Sequence, residues 1–235
     1  MNSEPLLSRS RAAFGRDQVR SAERELLRDG RFANARVERV RIDGVDWIFK
    51  DFSSRAFLVR HTIGRFLLGR ELRALRHLDG IPGIPSQAFR VDAFAIAARY
   101  VPGRTLARVE GALVSTAFLI SLEALLEQVH ARGLVHLDTR GGSNLLMMPD
   151  GEPGIIDFQA TLSTRWMPAP LRRWFDDMDM SGVYKKWLRW QPETLDEQRR
   201  ARYERLTRWR RLWLLRGYLG VRKNRKQAPR SPAGG

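Results

Sequence analysis

The chain has 235 residues, with 42 Lys and Arg against 26 Asp and Glu, for a net charge of +16. It has no cysteine, which excludes disulfides and thiolate metal sites, and its apolar runs fall far short of the ~18 residues a spanning helix needs. Apolar residues make up 43%, enough for a core, so the excess charge points to an anionic partner rather than to a disordered polyelectrolyte.

The N-terminus, MNSEPLLSRSRAAFGR, lacks the apolar centre of a signal peptide, and the expected location is cytoplasmic. Residues 17–28 read as a short charged helix. Residues 35–42 alternate apolar and polar, the period of a half-buried strand. Asp43-Gly44 is a hairpin turn signal, and Val45 to Phe52 reads as the returning strand. Val45, Trp47 and Phe49 then share one face, and Ile48 and Lys50 the other.

Residues 63–78 read as a helix, with Leu68, Leu72, Leu75 and Leu78 at helical spacing. Ile81-Pro82-Gly83-Ile84-Pro85 breaks it. Val91 to Val101 is strand material. Residues 115–132 give the strongest helical pattern, a stripe of Leu119, Leu122, Leu126 and Val129 stopped by Gly133. Leu145 to Met148 and Gly154 to Asp157 flank a Pro-Asp-Gly turn and read as a short hairpin. The remainder is helical and basic, and residues 222–235 read as a disordered basic tail. Strands first and helices after suggest an α+β protein, a small β-rich lobe followed by a reduced helical lobe. The expected divisions are a helical extension over 1–30, an N-lobe over 31–101, a C-lobe over 102–221 and the tail.

Chemistry concentrates between His136 and Gln159. Asn144 enters the first strand of the hairpin and Asp157 leaves the second, so both lie at one end. An amide oxygen beside a carboxylate suits Mg²⁺, a hard cation that takes oxygen ligands and keeps sites for phosphate and water. Asp138, in the loop just upstream, could orient an attacking hydroxyl or accept its proton. Glu71 lies on the apolar stripe of the 63–78 helix, where a carboxylate is costly unless paired. Lys50 is its natural partner.

These residues resemble the catalytic loop and metal motif of protein-kinase-like enzymes. The resemblance runs from about residue 35 to 165. It implies a two-lobed kinase fold that uses ATP and Mg²⁺, with Asp138 catalytic, Asn144 and Asp157 as metal ligands, and His136 as a structural loop histidine. It also implies that Lys50, positioned by Glu71, holds the ATP phosphates. Arg99, Tyr100 and Val101 would bind adenine through their backbone where the lobes join.

Three features depart from the common pattern. Residues 31–43 contain no glycine, so no glycine-rich phosphate loop precedes Lys50. Asp138 and Asn144 stand six apart rather than five, with Gly141-Gly142 available to absorb the extra residue. The metal motif ends in Gln159, and 78 residues follow Asp157, few for a full eukaryotic kinase lobe. The chain thus resembles the compact bacterial lipopolysaccharide-core sugar kinases and the RIO-type atypical kinases. The first implies an envelope glycolipid sugar as acceptor, the second a Ser/Thr protein substrate; a pseudokinase that binds without turnover is a third reading. No nucleic-acid motif accompanies the charge.

Two segments stay open. Tyr203, Leu206, Trp209 and Trp213 fit a helix packed on the C-lobe, or one lying on an anionic membrane at the inner face. Asp176, Asp177 and Asp179 could cap a helix starting near Ser181 or touch substrate. Arg140 could meet a substrate phosphate or cap its loop.

Overall fold

The computed structural model describes residues 14–32 and 34–212, and the backbone alone over 208–212. Its first layer is a five-stranded antiparallel sheet, built from β1 (Glu23–Arg28), β2 (Arg36–Ile42), β3 (Val45–Asp51), β4 (Phe89–Asp92) and β5 (Ala95–Arg99) in the order β1-β2-β3-β5-β4. The predicted alternation sets its two faces. Val40, Ile42, Trp47 and Phe49 pack on the outer face with Phe14, Val19 and Phe89. The rings of Phe14, Trp47 and Phe89 meet edge to face, with centroids 4.9 to 5.5 Å apart, a preferred aromatic arrangement. Lys50, Ile96 and Ala98 point to the inner face.

That inner face is covered by a helical run: a short turn α2 (Phe57–Val59), a π-helical stretch Arg60–Gly64, and α3 (Arg65–His77). Leu68, Leu72 and Leu75 are buried as their spacing predicts, and Glu71 is buried among them. Gly64 makes the close approach possible. A Cβ there would come within 2.8 Å of the Phe52 ring.

The helical lobe is assembled around α4 (Thr116–Ala131) and α5 (Ala169–Trp190), with α6 (Glu197–Leu212) against α5. Ser115 caps α4 by accepting the Phe118 amide at 3.1 Å. Leu119, Leu122, Leu126 and Val129 are fully buried, and Gly133 ends the helix at φ 71°. Glu123 then links all three helices, accepting from Tyr184 at 2.6 Å and from Arg199 at 2.7 Å. Small sheets finish the lobe: β6 (Arg104–Thr105) with β8 (Leu145–Met147) and β9 (Pro153–Ile155), and β7 (Leu134–Val135) with β10 (Leu162–Ser163). One apolar core runs from Leu68 and Ile96 through Leu119 and Ile155 to Trp187.

Three expectations are corrected. The 17–28 helix is instead a six-residue helix, α1 (Arg16–Ser21), followed by strand β1. Glu, Leu and Arg favour helix locally, but pairing along β2 overrides that preference, and the sheet begins at Glu23 rather than beyond residue 30. Residues 91–101 hold the end of one strand and the whole of the next, β4 and β5 forming a hairpin. No helix begins near Ser181, which lies midway along α5. Tyr203 and Leu206 pack on the helical core, as the packing reading expects. The Trp209 side chain, Trp213 and the 222–235 tail lie outside the described residues.

Candidate active site

Three adjacent strands place Arg28, Val37 and Lys50 at one level, because Arg28 pairs with Val37 and Val37 with Lys50. The Lys50 ammonium lies 2.5 Å from Glu71 and 2.7 Å from Asp157. One lysine thus joins the sheet, α3 and the end of the β8–β9 hairpin. Burial alone would lower the Lys50 pKa, but the two carboxylates outweigh it and the net shift is upward. Burial pushes Glu71 up, and Lys50 offsets this only in part. Burial pushes Asp157 up too, but Lys50, with Arg28, outweighs it and holds the carboxyl at about 2. Asp157 is therefore an anion at any physiological pH.

The hairpin does what its geometry promised. The Ile156 amide bonds to the Asn144 carbonyl at 2.9 Å, so Asn144 and Asp157 share one end. The Asn144 amide nitrogen donates to the Asp138 carboxylate at 2.8 Å and to the Asp138 carbonyl at 3.1 Å. Its side-chain oxygen has only a long 3.4 Å contact from Ser143 and keeps acceptor capacity. Two oxygens, one amide and one carboxylate, fit a Mg²⁺ ion completed by phosphate and water. No cluster of three or more His, Asp or Glu that could hold a metal by itself occurs among the described residues.

His136 is fully buried. Nε2 faces the Ile156 carbonyl at 3.0 Å, and Nδ1 accepts the Asp138 amide at 3.2 Å. It therefore ties the loop to the hairpin. Leu137 and Asp157, on either side, both adopt left-handed φ values, 64° and 66°, a conformation that costs energy and persists only where the surroundings enforce it.

Two enforcing residues were missed or misread in the sequence. Asp179, on α5, is fully buried and accepts the backbone amides of His136 and Leu137. It serves neither as a cap nor as a substrate contact. His130, which shows no ligand spacing in the sequence, sits 3.2 Å from the same carboxylate. Lys186, one α-helical face further along α5, donates to the carbonyls of Thr139, Arg140 and Gly182. Arg140 itself reaches Ser181 at 3.3 Å. Gly182 lets loop and helix touch: a Cβ there would lie 2.2 Å from the Thr139 hydroxyl.

On the phosphate side, the loop between β1 and β2 precedes Lys50 and carries a single glycine, Gly30, so it is not glycine-rich, in keeping with the sequence. A Cβ at Gly30 would lie 2.1 Å from the Ala35 carbonyl oxygen. Arg28, entering that loop, reaches Asp157 at 3.4 Å; the sequence contained no local signal for it. Where the lobes join, Arg99 and Tyr100 commit their amides to Ser86 and Asp46, and their side chains stack against Trp47 and Arg39. Among the described residues the Val101 amide has no backbone partner.

No family model and no curated protein matches the chain. Among solved structures it is similar to the Rio2 kinase–ADP/Mg²⁺–phosphoaspartate complex from Chaetomium thermophilum, with a TM-score of 0.56 and 17% identity. The match covers 76% of this chain and 60% of that one. At this identity the likeness shows the fold alone. The fold of this chain is protein-kinase-like, with a β-sheet N-terminal region and a helical C-terminal part.

Proposed function

We propose that this protein is an ATP- and Mg²⁺-dependent phosphotransferase acting on a hydroxyl acceptor. The observation that carries the reading is the buried Lys50 ammonium between Glu71 and Asp157. Burying three charges is costly, and a cation held between two anions beside a hairpin amide is suited to receive phosphates and a metal. The Rio2 complex contains ADP and Mg²⁺, which supports the same pair of ligands here.

In this reading Lys50, held by Glu71, binds the α- and β-phosphates. Asn144 and Asp157 would hold Mg²⁺, which when bound would supply positive charge to the transferring phosphoryl group. Arg28, 3.4 Å from Asp157, adds positive charge at the same end of the site. The Val101 amide takes the adenine edge, and Arg99 and Tyr100 shape that wall. Asp138, oriented by the Asn144 amide, accepts the proton of the attacking hydroxyl. That oxygen bonds to the γ-phosphorus as the bond to the β-phosphate oxygen breaks, and ADP leaves.

A RIO-like acceptor, a serine or threonine hydroxyl of a protein, is favoured by the structural likeness. An envelope glycolipid sugar is the other acceptor, supported by the +16 charge. Radiolabelled ATP with a protein extract and with a cell-envelope extract separates the two. Asp138→Asn is expected to leave Mg-ATP binding near normal and to lower transfer by about two orders of magnitude or more. Equal transfer by the two proteins removes Asp138 from the chemistry. Mg²⁺-dependent ATP binding without transfer to either extract marks a pseudokinase.

A further inference from the structure

The helical run that carries Glu71 inward has an opposite side that no other element covers among the described residues. Phe57, Leu58, Ile63 and Phe66 are 64%, 73%, 47% and 59% exposed. A soluble surface scatters such residues singly; four within ten positions of one helical run are a patch. The chemistry between them is one-sided. From Asp51 to Glu71 the chain carries four arginines and no carboxylate. Arg55 meets Asp29 at 3.3 Å. Arg60, Arg65 and Arg70 form no ion pair among the described residues. Arg60 donates to the Ser53 carbonyl at 3.2 Å and lies over the Phe57 and Phe94 rings, Arg70 stacks on the Phe66 ring at 5.3 Å, and the Nε of each is buried without a hydrogen-bond partner. Cations thus stand beside the apolar side chains they would accompany into an anionic surface.

Charge selects the occupant. A second copy related by a two-fold axis would bring the same arginines face to face. The 23 residues after Leu212 carry six Lys and Arg and no Asp or Glu, the same sign of charge as this face. The first thirteen residues hold one acid, Glu4, against two arginines. An anionic partner remains. The patch is the outer surface of a helix, with rings and branched chains standing out from it. That shape enters a soft planar interface and offers no groove to a protein helix.

We propose that this face docks on an anionic phospholipid surface. Its four apolar side chains enter the boundary between headgroups and acyl chains, and Arg65 and Arg70 take lipid phosphates. The proposal needs no nucleotide and stands apart from the kinase reading, although docking face and active-site Glu71 share one helical run.

The test is co-sedimentation of the full chain, without nucleotide, with vesicles of phosphatidylcholine alone or mixed with phosphatidylglycerol. Wild type is expected to pellet with the mixed vesicles, to be released by high salt, and to stay in solution with phosphatidylcholine. Leu58→Ser/Phe66→Ser is expected to lower partitioning about tenfold or more, and Arg65→Glu to lower it too. Leu113→Ser, at an exposed leucine of the helical lobe, is expected to bind as wild type does. All three variants change exposed side chains, so unchanged thermal unfolding certifies their folding. Equal partitioning by wild type and the double variant overturns the proposal. So does equal binding to both vesicle types, or failure of folded wild type to bind either, which would leave an acidic protein as the occupant.

Discussion

Two lysines, one in each lobe, are buried to the same degree, Lys50 at 7% and Lys186 at 6% exposure, yet they shift in opposite directions. Lys50 sits between two carboxylates and its pKa rises. Lys186 sits among three backbone carbonyls, and burial lowers it to about 8, with Lys185 and Arg140 adding to the fall. Carbonyl dipoles satisfy the hydrogen-bonding capacity of an ammonium but return little of its lost hydration, whereas a carboxylate returns much of it. Burial alone therefore does not say what a lysine is for. Lys50 is a permanent charge at the Asn144–Asp157 end of the site. Lys186 is a clamp under the Thr139–Arg140 loop that can release a proton near physiological pH.

The comparison breaks most visibly in stability. Lys50→Met leaves Glu71 and Asp157 buried without their cation, and is expected to cost about 3–5 kcal/mol in denaturant unfolding at neutral pH. Adding Glu71→Leu removes the stranded carboxylate and is expected to recover part of that loss. A cost below about 1 kcal/mol for Lys50→Met would mean that water or Arg28 already screens the site.

Lys186→Met is expected to cost less, about 1–3 kcal/mol, the scale for leaving buried carbonyls unpaired. It removes an uncompensated charge at the same time. Its larger effect falls on the loop: turnover is expected to drop while Mg-ATP affinity stays near wild type, because Asp138 moves and Lys50 does not. A parallel loss of affinity would show that the two lysines act through one unit.

The smallest effect is the pH dependence. Lys186 has a folded pKa of about 8, below the ordinary lysine value, so between the two the unfolded chain binds more protons. Stability contributed by this group therefore rises with pH across that window. Lys50 is shifted upward, so its stabilisation is fully present throughout the same window. Asp157, held at about 2, loses its contribution only as pH falls below the ordinary carboxylate range towards that value. Unfolding curves for wild type and Lys186→Met, stepped upward from pH 8, are expected to diverge by this rise, and parallel curves would place Lys186 in a solvated environment.

What the sequence determined by itself lies in short-range pattern. Alternation over 36–42 and 45–51 with Asp43-Gly44 between them specified the strand pair that carries Lys50. The leucines around Glu71 made an inward carboxylate, and so a partner, a physical necessity. The hairpin brought Asn144 and Asp157 to one end because antiparallel strands leave no other arrangement. Tertiary structure decided the rest. Glu23–Arg28 is exposed at all six positions, so it carries no apolar periodicity, and its helix-favouring residues become a strand only because β2 offers a ladder. The loop holding Gly30, and with it Arg28 at Asp157, was hidden by that misassignment. Asp179 and Lys186 reach the His136–Arg140 loop across more than forty positions of chain, and an isolated aspartate or lysine in a helix has no local mark of such a contact. The outward face of the 57–70 run became visible only when the packed side, through Gly64 and Phe52, had been assigned. Local patterns record what neighbours in sequence must do. The partners of a buried charge are chosen by the fold, because the cost of burying it appears only when distant segments close around it.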